Sequence, residues 1–362
     1  MKTKVIKAPQ AWQGLRLPAI NCWVVITLIV ALLMALPVLQ VGSAIFQPFN
    51  ENWWHLQEYL LQEYVVNSLL LMLGVSFGVL TIGVITAWLT SMCQFPGRRF
   101  FSWALLLPLA FPAYIIAYTY TGLLDFSGPV QSFIRSATGW GYGDYWFPEV
   151  RSLMGAASMM SLVLFPYVYM MARASFLEQS TGVLEASRTL GNGPIRSFFR
   201  VALPLARPAV VTGLSLALME TLADYGTVQY FGVPTFTTGI FRTWFGVGDN
   251  GTAAQLSAML LFFVFALILL ERWSRKRARF HHTTQKQGAI KRFKLSTKMA
   301  WLAWLACLLP FLFGFLVPAL QLAWWVVTTA EESIDRSFIE LTLNTMMLAI
   351  GAALIAVIIA LC

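Results

Sequence analysis

The sequence predicts an all-α polytopic membrane protein with about eight transmembrane helices. Three observations predict it. Of its 362 residues, 58% are hydrophobic and 11% are charged, where a soluble domain carries about 25% charged residues. Apolar runs long enough to span a bilayer, which takes about 20 helical residues, recur along the whole chain. The Lys and Arg residues fall almost entirely into alternate connecting segments, as expected when basic loops stay on the cytoplasmic side.

The elements follow in order. Lys2, Lys4, Lys7 and Arg16 precede an apolar run over about 21–41. That run exceeds the core of a signal peptide, about 7–15 residues. It reads as an uncleaved first helix, with 1–19 as a cytoplasmic N-terminus. Residues 43–63 carry Glu51, Glu58 and Glu63 but no Lys or Arg, so they lie outside. A second helix spans about 64–91, and Arg98 and Arg99 mark the inside. The third, about 100–124, holds Pro108 and Pro112; prolines kink a membrane helix and leave carbonyls for neighbours to satisfy.

The loop at about 125–150 contains Trp140, Tyr142, Tyr145, Trp146 and Phe147. It reads as an interfacial aromatic belt, with a docking surface for an external partner as the alternative. The fourth helix covers about 153–172, the fifth 208–231, the sixth 253–270 and the seventh 300–327. The eighth runs from about 338 to Cys362. A Gly- and Thr-rich outer loop separates the fifth and sixth, and 272–298 is a basic cytoplasmic linker. On this topology only Arg135, Arg151, Arg242 and Arg336 of the basic residues fall outside.

Several functions are argued against. The net charge of +9 collects on one membrane side, which explains it without nucleic acid. Cys22, Cys93, Cys307 and Cys362 form no Cys-x-x-Cys pair and read as small apolar residues. His55, His281 and His282 show no metal-ligand spacing. No Gly-x-x-x-x-Gly-Lys-[Ser/Thr] occurs, and no Ser/His/Asp or Cys/His set. The chain therefore reads as a non-enzyme that holds no cofactor and no metal of its own.

The most informative stretch is 184–204, LEASRTLGNGPIRSFFRVALP. It is a polar, basic island between two apolar runs. Its order reads as a short helix, a break, a second short helix and a stop at Pro204. Gly191 suits the left-handed position that ends a helix, and Pro194 the first turn of the next. Glu185-Ala186-Ser187, Gly191, then Val201, Leu203 and Pro204 resemble the EAA loop of ABC importer permeases. Ser187 stands for the second Ala of that motif and Val201 for its Ile. The resemblance implies a type I ABC importer permease fold, with 178–204 as the coupling loop that docks on a cytoplasmic ATPase. It also implies two P-loop ATPase subunits that use the ATP, a periplasmic substrate-binding protein, and multi-pass residence in a bacterial inner membrane.

Glu220 and Asp224 are the most informative intramembrane residues. At a spacing of four they share one helix face. Buried charge in a bilayer costs about 2.5–3.5 kcal/mol on insertion scales and marks a polar path or a partner. Both readings stay open: a lining of the translocation path, together with Tyr225, or carboxylates bonded to neighbouring helices. The segment ETLADYGTVQYFGVPTFTTGIFRTW, residues 220–244, resembles the ferric-iron permeases of the same superfamily. The resemblance implies ferric iron as cargo, with thiamine, sulfate or a polyamine as alternatives. An ion-coupled secondary transporter needs no docking loop, and a membrane sensor needs a soluble domain.

A repeat appears near the end. Asn67-Ser68 and Gly74 match Asn344-Thr345 and Gly351 at an offset of 277, and Pro37-Val38-Leu39-Gln40 resembles Pro318-Ala319-Leu320-Gln321. Residues 20–271 then read as a complete first permease repeat and 299–362 as the start of a second. Continued at that offset, the repeat predicts a full chain of roughly 540–560 residues with about twelve helices.

Overall fold

The computed structural model describes residues 22–141, 143–179, 189, 191, 193–276, 292–333 and 336–361. Among them, seven helices are long and apolar enough to cross a membrane, and a bent pair makes up to eight.

α1 (Cys22–Ser43) is the first apolar run. A 3-10 turn at Ala44–Phe46 leads to α2 (Glu51–Tyr59), a short helix in what the sequence reads as a plain loop. Asn50 starts it by accepting the Trp53 N–H at 2.9 Å, as an N-cap does. α3 (Leu61–Met92) has 32 residues and is about 48 Å long at 1.5 Å per residue. It runs into a two-residue strand, β1 (Cys93–Gln94).

The expected single third helix is broken. α4 (Arg98–Ala104), a 3-10 turn at Leu107–Ala110 and α5 (Ala113–Leu124) replace it. The two halves meet at 91°. Pro108 and Pro112 remove two N–H donors one turn apart, so the α-helical ladder cannot cross them. The aromatic loop holds a further helix, α6 (Pro129–Thr138). α7 (Leu153–Glu178) follows, capped where Ser152 Oγ accepts the Gly155 N–H at 3.1 Å.

α8 (Pro194–Ser197) passes through a π-helical turn at Phe198–Ala202 into α9 (Leu203–Ala223). The expected stop at Pro204 is therefore absent. The Leu203 N–H reaches back five residues to Phe198 O. Pro204, with no N–H of its own, enters just after the ladder has already lengthened its step. The expected fifth helix to residue 231 ends instead at Ala223. After it come α10 (Gly226–Tyr230), inside the range expected for the fifth helix, and then, in the expected outer loop, α11 (Phe236–Phe241) and a π-helical turn at Arg242–Val247.

α12 (Asn250–Lys276) closes that loop. β2 (Phe293–Lys294) pairs in parallel with β1, an exception to the all-α expectation and one placed inside the expected basic linker. α13 (Thr297–Phe311), a π-helical turn at Leu312–Leu316 and α14 (Val317–Ser333) form one long span. Pro318 has no N–H for the carbonyl five residues back, and Tyr120 Oη donates to that Phe313 oxygen at 2.6 Å. α15 (Arg336–Leu361) is the last element.

The chain divides into two compact units. One comprises Met1–Val41 and Glu331–Cys362. Its described helices show exposed apolar side chains such as Leu32 and Met347, as lipid-facing helices do. The other unit is Gly42–Ala330, and its core is the packing of α3, α7 and α9. Gly74 and Gly78 form a Gly-x-x-x-Gly face against Ala157 and Ser161. A Cβ would lie 2.9 Å from Ala157 Cβ at Gly74 and 2.5 Å from Ser161 Cβ at Gly78. At Gly213 of α9 it would lie 2.8 Å from the Tyr167 carbonyl oxygen of α7. Small residues let membrane helices approach this closely. Val75, Val79, Met160, Phe165 and Val168 fill the seam and are fully or almost fully buried.

The two ends of α3 are tied differently. At its C-terminal, basic end, Arg98 Nη1 donates to Thr90 O at 3.0 Å and Arg292 Nε to Ser91 O at 3.1 Å. Cations here satisfy the last carbonyls and suit the helix dipole. Beyond its other end, Asp249 clips the α2 entry to the start of α12. It accepts from Asn50 Nδ2 at 2.6 Å, Asn52 Nδ2 at 2.8 Å and the Thr252 N–H at 3.0 Å. Partial burial pushes the Asp249 carboxyl up, but the bonds from Asn52, Thr252 and Asn50 outweigh it. The carboxyl is held well below its ordinary range.

Two outcomes are expected. Gly78→Val should destabilise the protein by about 1–3 kcal/mol through overpacking, read as a lower unfolding midpoint in detergent, and Ser161→Gly should restore part of the loss. The Asp249 clip should contribute fully above the unfolded carboxylate value of about 3.9 and weaken as pH falls through the lower folded value. Acid titration of the melting temperature below about pH 4 should show this slope, and Asp249→Asn should flatten it.

Candidate functional site

The basic island supplies the first part of the site. Glu185, Ala186 and Ser187 lie outside the described residues. Gly191 has φ +77°, the left-handed conformation, and a Cβ there would meet nothing within 4 Å. The demand for Gly is therefore conformational and not steric. Pro194 opens α8 as expected. Val201 and Leu203 are half-buried and Pro204 is exposed.

What anchors this part is an aromatic cluster that motif reading passes over. The Trp88 ring of α3 lies 5.5 Å from Phe176 of α7, 5.3 Å from Phe198 of the π-helical turn and 6.0 Å from Phe293 of β2, between centroids. Gln179 Nε2 donates to Ala202 O at 2.9 Å. Phe198, directly after α8, thus packs against both α3 and α7. The available signal was the spacing of large aromatics beside the basic loops, which is weak without contacts.

The second part is the far end of α9. Glu220 is exposed on the helix. Asp224 follows the last helical residue, and its ψ of 126° turns the chain away. Its carboxylate accepts from the Thr227 N–H at 2.9 Å, Thr227 Oγ1 at 3.0 Å and the Val228 N–H at 3.3 Å. Asp224 thus starts α10, so the pair does not share one unbroken helix face. Thr237 Oγ1 donates to Asp224 O at 2.8 Å and ties α11 to the same corner. Tyr225 stacks on Phe241 with centroids 4.0 Å apart.

Tyr225 lines a cavity of about 510 Å³, together with Glu63, Tyr64, Gln229, Thr238 and Arg242. Glu220 and Asp224 are not on its wall. Among the described residues, no three His, Cys, Asp or Glu side chains are placed to hold a metal ion.

A family described as the binding-protein-dependent transport system inner membrane component matches residues 23–280. The chain belongs to this family. The matched range takes in the basic island, the cavity, and Trp88, Phe176 and Phe198 of the aromatic cluster, with Phe293 beyond it. Among its relatives is an Fe(3+)-transport system permease protein of Haemophilus influenzae, 25% identical over 83% of this chain. The chain spans about half that relative's length, 56%. A molybdenum transport system permease protein of Escherichia coli is 29% identical over 55% of this chain and 88% of its own length. In fold, the chain resembles a bacterial ABC transporter involved in alginate import, with a TM-score of 0.53 and 15% identity, covering 71% of this chain and 95% of that one. The chain is a multi-pass membrane protein with the type I ABC permease fold.

Asp224→Ala should strand the Thr227 and Val228 donors and cost about 1–3 kcal/mol, seen as a lower melting temperature. Glu220→Gln, at an exposed site, should change stability by less than about 0.5 kcal/mol.

Proposed function

We propose that this chain is the membrane-spanning permease subunit of a bacterial ATP-driven importer in the inner membrane, with its N-terminus in the cytoplasm. A periplasmic binding protein delivers cargo to the cavity end, and two cytoplasmic P-loop ATPase subunits dock at the basic end. The carrying observation is the EAA-like spacing from Glu185 to Pro204 inside the family match. Ile195 and Phe199, one turn apart, are exposed within that stretch and suit an apolar docking cleft. Force applied there reaches α3 and α7 through Phe198 and Trp88.

The cargo we favour is ferric iron. The iron-named relative supports it, since its similarity runs through 83% of this chain. The molybdenum-named relative supports an oxyanion as the second reading. Glu220, Asp224 and Tyr225 are the residues assigned to the translocation path, with Tyr225 placed best because it lines the cavity.

The test is uptake of radiolabelled ferric iron and molybdate into proteoliposomes holding the chain with its ATPase and binding-protein partners. ATP-dependent accumulation of ferric iron is expected. Gly191→Val should impose a left-handed penalty of roughly 1–2 kcal/mol and lower coupled uptake about tenfold, while the protein still inserts. Undiminished uptake by that variant would overturn the coupling role.

A further inference from the structure

The charge pattern leaves four arginines on the expected outer side, and each has a local partner. Arg135 lies 4.1 Å over the Phe126 ring and donates to Tyr145 Oη at 3.3 Å. Arg151 pairs with Asp125 at 3.6 Å. Arg336 pairs with Glu340 at 3.5 Å. Arg242, like Arg135, makes no ion pair among the described residues, and its polar neighbour is the Tyr64 hydroxyl.

Its placement is distinctive. Arg242 opens the π-helical turn that follows α11, and such turns recur at functional sites. The turn sets it on the wall of the 510 Å³ cavity, a volume within the range of about 300–1,000 Å³ typical of small-molecule sites. The other polar side chains of that wall are Tyr64, Tyr225, Gln229, Thr238 and the exposed Glu63. The cavity wall therefore carries one guanidinium and one carboxylate among hydroxyl and amide side chains. A planar guanidinium fork matches a carboxylate or an oxyanion, and it repels a bare trivalent cation.

We propose that this cavity receives an anionic group of the cargo, a carboxylate or an oxyanion, with Arg242 as its counter-charge and Tyr225 and Gln229 as hydrogen-bond partners. The inference rests on the permease reading and deepens it. Iron would then arrive as an anionic chelate, and molybdenum as its oxyanion.

The purified chain in lipid nanodiscs is titrated with ferric citrate, sodium molybdate and sodium sulfate by calorimetry, with no other protein present. Saturable binding of at least one anion is expected. Arg242→Gln should weaken it about tenfold or more, and Arg242→Lys should fall between the two. Should Arg242→Gln not fold, Tyr225→Phe deletes one hydroxyl from the same wall and should weaken binding several-fold. Failure of all three anions to bind the wild type, or equal binding by the variants, overturns the site. An effect of Arg242→Gln on affinity for the periplasmic binding protein alone, with no small anion bound, also overturns it, because Arg242 would then serve a protein contact. Uptake separates this inference from the one beneath it. If the wild type transports and Arg242→Gln transports at the same rate and KM, the site falls and the permease reading stands. If anion binding depends on Arg242 and the reconstituted wild type transports nothing, the permease reading falls and the site stands.

Discussion

Backbone-close contact between α3 and α7 is the constraint on which the larger unit depends. In lipid the hydrophobic effect gives no reason for one apolar helix to prefer another, so association rests on fit. Gly74 and Gly78 remove the side chains that would hold the helices apart, and Ala157 and Ser161 do the same from the other side. Gly213 lets α9 join the same seam at the Tyr167 carbonyl. Everything assigned to function hangs on these three helices. The Trp88 cluster grips their basic end, and the Asp224 corner and the cavity sit at the other.

The prolines work within that frame. Pro108 with Pro112 breaks a span. Pro204 and Pro318 each follow a π-helical turn and leave their helices continuous. The difference lies in the surroundings. A lengthened turn has already displaced the ladder before Pro204 and Pro318, and Tyr120 supplies a donor to the Phe313 carbonyl. Two prolines one turn apart leave no room for either remedy.

The membrane class and the long spans were legible because length, apolarity and charge are properties of composition and order. Gly191 was legible for a related reason: positive φ is a local demand that few residues meet, and it stands at +77°. The small helices α2, α6 and α11 were not legible, and α10 was read as the end of the fifth helix. They are short, and tertiary neighbours stabilise them more than their own pattern does. Asp224 shows the same limit. Its spacing from Glu220 suggested one face, but the side chain's bonds to Thr227 and Val228 favour ending the helix there. Arg242 stood out in the sequence only as one of four exceptions to a charge rule. Its cavity took the π-helical turn, and no periodicity announces that.

The tie between Ser91 and Arg292 joins residues 201 positions apart. A ribosome adds roughly 5–20 residues per second, so α3 waits about 10–40 s for the guanidinium that covers its Ser91 carbonyl. The β1–β2 pairing waits as long. Through that interval Arg98 alone of the two guanidiniums covers this end, with α4, α7 and α9 made before Arg292 arrives. The order of synthesis thus leaves this end of α3 without two of its partners, Arg292 and β2, until about 200 residues more have been made.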